Sequence, residues 1–461
     1  MKKRKLILIT NAILIVLFVV SCKKIPETLE HTQKPNILLI CVDDLRPELK
    51  SYGAEYISSP NIDALSQEGV SFQKHFVNAP SCGPSRYTLL TGQYGLATND
   101  ALFQRASKIV KGEIVSPSMP EWFKTHGYTT VSVGKVSHHP GGRGGKDWND
   151  STIIEIPNAW DKHIMPVAEW EHPRGSMHGL ANGEIRIKSS DMDVFQTVEG
   201  DDNIYPDGAI TDEAVKQLKA LSMNDEKPFF LAVGIIKPHL PFGAPKSYFD
   251  RYEGVQLPAI EHPQKPEGKT TWHNSNEYKQ YNRWEKDPNK NPAFADEIRR
   301  HYAACVSYVD AQVGKVLAEL KRTGADKNTI VVLWGDHGWH LGEHAIWGKH
   351  SLFEESLHSP MIIHYPGMNR KGSKTDAIVE TLDIFPTLCD LTGVEIPKFT
   401  QGVSLRKILE KPNTTGHPAI SYFKDVSTIR TATHRLSLHE DGFVELYDHR
   451  TVENETKNIA G

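Results

Sequence analysis

Four short runs of continuously apolar residues, each ending in groups able to bind metal or move protons, constrain this chain more than any other feature. "NILLICV" runs into Asp43 and Asp44, and "TTVSVG" into Lys135 and His138. "PFFLAVGII" runs into Lys237 and His239, and "NTIVVLWG" into Asp336 and His337. Runs of this length, rich in β-branched and aromatic residues, read as strands buried on both faces, as in a parallel sheet covered by helices. Between them lie helix-like segments at 61–69, 119–127 and 212–221. A longer amphipathic one spans 296–322, with Gly324 as its stop. Strands alternating with helices predict a layered α/β domain. Open α/β sheets place ligands at the carboxyl ends of their strands, so four such endings predict one shared site.

The flanks of this region have a different character. "MKKR", the apolar "LILITNAILIVLFVV" and "SCKK" have the layout of a secretory signal peptide over residues 1–22. "VVSC" resembles the lipobox of bacterial lipoproteins, in which Cys22 becomes the acylated first residue; an uncleaved anchor helix is the alternative. Either reading exports the chain to the periplasm or cell surface on a tether of residues 23–34. The remaining roughly 430 residues exceed one typical core. We expect a large domain over 35–396 and a small one over 397–461, where "PAISYFK", "STIRTATHRLSLHE" and "FVELYDH" read as short antiparallel strands. Two polar stretches, 141–206 and 261–292, are rich in Trp, Tyr, His and Asn. That composition suits sugar contacts and solvated loops equally. A net charge of −4 gives no general attraction to nucleic acid.

Five cysteines are too few for a disulfide scaffold. Cys41, Cys305 and Cys389 lie in or beside apolar runs, where cysteine acts as a small buried hydrophobe. Cys82 instead stands in "NAPSCGPSRYTLLTG", a polar Pro/Ser turn where a free thiol would be exposed and oxidisable. Pro84 suits the first position of a short helix ending at Gly92, which puts Cys82 at a helix N-terminus. Arg86 follows one turn on. The turn reads as a nucleophile facing an oxyanion.

"SCGPSRYTLLTG" resembles the signature of the sulfatase family, Cys-x-Pro-Ser-Arg followed by Thr-Gly. The resemblance extends to "NILLICVDDLRP", "SPNIDALSQEGVSF", "GKVSHH", "FFLAVGIIKPHLPF", "GDHGWHLGEHAIWGKHS" and "ELYDH". It covers roughly residues 35–460 and is strongest to the iduronate-2-sulfatase-like branch. It implies an alkaline phosphatase-like α/β/α sandwich with a small C-terminal antiparallel sheet. It also implies that a formylglycine-generating enzyme oxidises Cys82 to formylglycine. The hydrated aldehyde carries two hydroxyls: one attacks sulfur, and deprotonating the other expels sulfate and restores the aldehyde.

Asp43, Asp44 and Asp336 offer hard oxygen ligands, which favour Ca²⁺ or Mg²⁺ over zinc. The resemblance adds His337 and the matured Cys82 to this metal set, His337 standing where many sulfatases carry Asn. It assigns Arg86 to steadying the nucleophile and metal, and Lys135 and Lys349 to holding sulfate. His138 takes the second hydroxyl's proton, and His239 protonates the departing sugar oxygen. The implied substrate is a sulfated oligosaccharide carrying a 2-O-sulfated uronic acid or a comparable sugar. Host glycosaminoglycans and algal glycans such as ulvan both qualify, and an exported polysaccharide-degrading enzyme favours the ulvan type.

Four other readings compete. "HLGEH", His340 to His344, matches a zinc-peptidase pattern, but Gly335, Gly338 and Gly342 crowd a segment that chemistry needs helical. "GGRGGK" fails as a phosphate loop because Asp147 follows its lysine. A phosphatase or phosphonate hydrolase of the same superfamily is the nearest enzymatic rival, and a glycan-binding lipoprotein without catalysis is the non-enzymatic one.

Overall fold

A computed structural model describes residues 34–140, 154–185, 188–224 and 226–460. The signal peptide with Cys22, the tether up to residue 33 and "GGRGGK" lie outside the described residues. No helix among the described residues is long and apolar enough to cross a membrane.

The four apolar runs form adjacent strands of one eight-stranded sheet. They are β1 (Asn36–Val42), β3 (Thr129–Gly134), β5 (Phe229–Ile235) and β6 (Thr329–Gly335). With β2 (Val70–Phe76), β4 (Lys162–Ile164), β7 (Met361–His364) and β8 (Ser373–Glu380), the order is β8-β2-β7-β6-β1-β5-β3-β4. β1 sits at the centre, pairing in parallel with both β5 and β6.

Alternation along the strands explains the layers. Leu38, Ile40 and Val42 face one apolar cluster; Ile37, Leu39 and Cys41 face the other. On the first face pack α1 (Pro60–Glu68), α4 (Pro206–Ser222) and the long α5 (Pro292–Arg322). On the second pack α2 (Cys82–Thr91), α3 (Met119–Thr125) and α6 (Ile384–Thr392). Each fully buried Leu or Ile contributes about 1.5–3 kcal/mol, so a strand apolar on both sides is held from two directions. The expected α/β/α sandwich is the observed architecture, with one correction. β7 runs antiparallel to both β2 and β6, so the sheet is mixed.

Two helices start earlier than expected, each with a proline at its first turn, upstream of the apolar periodicity. α5 begins at Pro292, with Asn291 Oδ1 accepting from the Phe294 amide at 3.1 Å. α4 begins at Pro206. The N-terminus of α1 lacks a side-chain cap of its own. Asp310 of α5 supplies it, accepting from the amides of Asn61 and Ile62 at 3.0 and 2.7 Å.

The C-terminal region folds as the expected antiparallel sheet. Its strands are β9 (Ala419–Phe423), β10 (Val426–Arg430), β11 (His434–His439) and β12 (Val444–Asp448).

Candidate functional site

β1, β3, β5 and β6 run in parallel, so the residues after them emerge at one edge of the sheet. Asp43 and Asp44 follow β1, Asp336 and His337 follow β6, Lys135 follows β3, and His239 lies beyond β5. The approach of β3 to β5 depends on glycine. Gly134 turns with φ +76°, the Lys135 amide donates to the Gly234 carbonyl at 2.9 Å, and a Cβ at Gly234 would meet the Lys135 backbone at 2.0 Å. Any side chain at Gly234 pushes Lys135 out of the site.

Cys82 is the first residue of α2, and the helix ends at Gly92 as expected, with φ +65°. It starts two residues before Pro84. The missing N–H of Pro84 costs nothing there, because first-turn amides have no partner within the helix. The thiol is 2% exposed, which corrects the expectation of an exposed turn cysteine. Cys82 Sγ lies 3.3 Å from both His337 Nε2 and Lys349 Nζ, and 3.9 Å from Asp44 Oδ1. Burial and the charge on Asp43 push this thiol well above its ordinary pKa, despite Lys349 and Lys135. As a plain cysteine it stays protonated and is a poor nucleophile.

The surrounding charges interlock. Arg86, fully buried, donates through Nε to Asp336 Oδ2 at 3.0 Å and lies 3.4 Å from Asp43 Oδ1. It also donates to the carbonyls of Lys135 and Val136. Lys135 pairs with Asp43, and Lys349 with Asp44 at 2.9 Å. Burial alone would raise Asp43, but Lys135, His239 and Arg86 outweigh it and hold the carboxyl well below the usual range. Burial wins at Asp336, whose carboxyl is pushed up to about 6 with help from Asp43.

The donors fit a cation. Asp44 Oδ2 is buried with no hydrogen-bond partner. His337 Nδ1 donates to the Gly338 carbonyl at 2.9 Å, which leaves the Nε2 lone pair 3.3 Å from Asp44 Oδ1. Asp43, Cys82, Asp336 and His337 bring one ligand atom each within 4.8 Å of one another, and so do Asp43, Asp44, Cys82 and His239.

The two remaining histidines differ. His239 Nδ1 donates to the Leu240 carbonyl at 2.7 Å, which leaves Nε2 facing Glu277 Oε1 at 3.5 Å. His138 leaves Nδ1 without a hydrogen-bond partner. Burial, with His139 and Lys135 nearby, holds its imidazole well below the ordinary pKa, hence neutral.

The family model described as Sulfatase matches residues 35–394. The chain belongs to the sulfatase family. It is a sulfuric ester hydrolase, and a second model, N-sulphoglucosamine sulphohydrolase C-terminal, matches residues 342–461. A sulfatase of Formosa agariphila is 30% identical over 94% of this chain and 84% of its own length. Human iduronate 2-sulfatase is 32% identical over 79% of this chain and 70% of its own. An ulvan-active sulfatase of Formosa agariphila is 29% identical over 87% and 71%. A protein solved with its substrate D-glucosamine-2-N,6-O-disulfate shares the fold, with TM-score 0.70 and 22% identity over 93% of this chain and 94% of that one.

Several residues near this sulfatase site behave differently from their sequence context. Lys237 turns away, donating to the Pro241 and His239 carbonyls at 2.6 and 3.3 Å, and so holds the loop that carries His239. His340 and His344 do not share a helix face. Residues 340–341 form a two-residue strand, and Gly342 follows with φ +114°. Glu277 comes from the polar stretch 261–292. Its Oε1 lies 3.5 Å from His239 Nε2 and its Oε2 3.4 Å from Lys349 Nζ. No periodicity or motif in that stretch marks Glu277.

Proposed function

We propose that this sulfatase acts on sulfated oligosaccharides through Cys82 matured to formylglycine, with a divalent cation held by Asp43, Asp44, Asp336, His337 and the matured residue. The observation that carries the reading is the position of Cys82 Sγ, 3.3 Å from both Lys349 Nζ and His337 Nε2 among buried carboxylates. A hydrated aldehyde there supplies one hydroxyl to attack sulfur and a second whose deprotonation releases sulfate. A set of three carboxylates and one imidazole suits Ca²⁺, with Mg²⁺ the alternative, and a cation so held acidifies the hydroxyl.

Lys135 and Lys349 face the charge that develops on sulfate oxygens. Arg86 keeps Asp43 and Asp336 aligned. His138, neutral, takes the proton of the second hydroxyl. His239 presents Nε2 to the departing sugar oxygen. An anionic ester in the site and Glu277 beside Nε2 both favour the charged imidazole that must give up this proton.

A cleft of about 290 Å³ opens beside Ser81, lined among others by Asn99, His273, His350, Phe423 and Lys424. The Phe423 and His350 rings lie nearly parallel with centroids 5.6 Å apart, and Lys424 is exposed at the β9–β10 turn. A ring pair with a cation suits a sugar that bears a second acidic group. Likeness to an iduronate 2-sulfatase and an ulvan-active sulfatase supports a 2-O-sulfated uronic acid, with ulvan-type glycan as the favoured source. The leader of residues 1–22 supports an exported lipoprotein anchored through Cys22.

The test is sulfate release from ulvan, carrageenan and glycosaminoglycan oligosaccharides, beside Cys82→Ala and an aryl phosphate control. Release from one class, abolished in Cys82→Ala, is the expected result. An active enzyme whose Cys82 peptide has the mass of an unmodified thiol would overturn the formylglycine step. Faster release of phosphate than of sulfate would favour the phosphatase reading.

A further inference from the structure

We propose a second divalent-cation site, separate from the catalytic centre, held by His344, Glu355 and Glu455 at the junction with the C-terminal sheet. One ligand atom from each of the three lies within 4.8 Å of the others. His344 is 0% exposed, and neither of its ring nitrogens has a hydrogen-bond partner. Phe353 stacks on the ring with centroids 4.7 Å apart, which fixes its plane. His344 Nε2 stands 3.6 Å from Glu355 Oε2, an oxygen that also lacks a hydrogen-bond partner. That separation is too long for a hydrogen bond. It is close to the ~3.4 Å between two ligands that each bind a tetrahedral zinc ion at about 2.1 Å.

The charges around the cluster leave one carboxylate over. Arg430 and Arg435 hold Glu354 at 2.9 and 2.5 Å, and Arg435 Nε holds Glu455 Oε1 at 2.5 Å. Arg46 pairs with Glu343 at 2.9 Å. Among the described residues no arginine or lysine pairs with Glu355 within 4.0 Å, and the charge of Arg46, which is paired with Glu343, offsets its burial only in part. Its ion-pair contacts are His344 and His340, whose Nδ1 lies 3.8 Å away and is already engaged by the Glu343 carbonyl at 3.2 Å. Burial and the charges on Glu343 and Glu455 push the Glu355 carboxyl well above its ordinary range, a penalty that a bound cation removes.

One imidazole and two carboxylates form a donor set for Zn²⁺ or Mn²⁺. Glu455 lies near the C-terminus, whereas His344 and Glu355 flank the segment that carries Lys349. An ion bound here therefore ties the C-terminal sheet to the catalytic segment, and it binds only the folded chain.

The experiment uses the full mature protein, stripped with chelator, and Zn²⁺ as the probe. Anomalous diffraction at the zinc edge should show a peak between the three side chains. The peak should persist in Asp336→Asn, which lacks a ligand of the catalytic centre. Glu355→Gln, nearly isosteric, should keep its circular dichroism spectrum and bind Zn²⁺ at this site at least about tenfold more weakly. Absence of a peak in wild-type crystals, at Zn²⁺ that fills the catalytic centre, would overturn the proposal. So would unchanged Zn²⁺ affinity in Glu355→Gln. The wild-type crystal decides even if the substitution disturbs folding, and a proton shared between Glu355 and His344 would then replace the ion.

Discussion

Glu277 Oε1 stands 3.5 Å from Nε2 of His239. A carboxylate at that distance favours a protonated imidazole, whereas burial, Lys135 and Lys349 push His239 well below its ordinary value. Glu277→Gln removes the favourable charge and lowers the proton affinity of His239. A general acid works only while protonated, so the alkaline limb of the kcat profile should move to lower pH. The loss in kcat should be on the order of tenfold, below the ~10²–10⁴-fold of the general acid itself. An unmoved limb would mean that Glu277 acts on Lys349 alone.

Arg86 is the common partner of Asp43 and Asp336. Arg86→Ala leaves two buried carboxylates facing one another. Urea unfolding in chelator should then show a loss of about 3–5 kcal/mol. Arg86→Lys should recover only part of it, because an ammonium cannot donate in the guanidinium's fork.

The buried, unpartnered Asp44 Oδ2 predicts a strict need for a cation. Dialysis against chelator should lower sulfate release by at least ~100-fold, and added Ca²⁺ should restore it. Recovery with Zn²⁺ but not Ca²⁺ or Mg²⁺ would contradict the oxygen-rich reading of the donor set.

Lys424 tests the substrate reading separately from the chemistry. Lys424→Ala should raise KM for a uronate-bearing oligosaccharide about tenfold, equivalent to ~1.4 kcal/mol. KM for a small aryl sulfate, which has no second acidic group, should not change. Equal effects on both would place Lys424 outside the sugar subsite.

His417 predicts a pH-dependent stability. Its Nε2 lies 2.8 Å from Asp383 Oδ2, and that hydrogen bond raises the imidazole from 6.5 to about 9. The folded state holds the proton more tightly, so the pair's contribution is fully present below 6.5 and is lost as pH rises through about 9. Wild type and His417→Gln should differ in unfolding free energy at about pH 6 and converge near pH 10.

Much of this molecule follows from local pattern. "NILLICV" and "TIVVLWG" read as strands covered on both sides, by their length and β-branched content, and Asp43, Asp44, Asp336 and His337 follow them directly. Cys82, Arg86, Lys135 and His239 were legible for the same reason, since each sits at a fixed offset from an element with a strong periodic or capping signal. The four-residue β7 and its antiparallel direction were not legible. So short a strand carries little signal, and its pairing is set by neighbours distant in the chain.

Tertiary structure alone decided the rest. Burial turned Cys82 from an apparent surface thiol into a protonated group among carboxylates, because Asp44 after β1, His337 after β6 and Lys349 surround its Sγ. Glu277 reaches His239 from a stretch without periodicity. His344, Glu355 and Glu455 meet only because the C-terminal sheet folds back on the catalytic segment. A sequence records which side chains can bind a proton or a cation. Which of them share a space, and which charge is left without a partner, depends on contacts between residues far apart in the chain, and those exist only in the folded state.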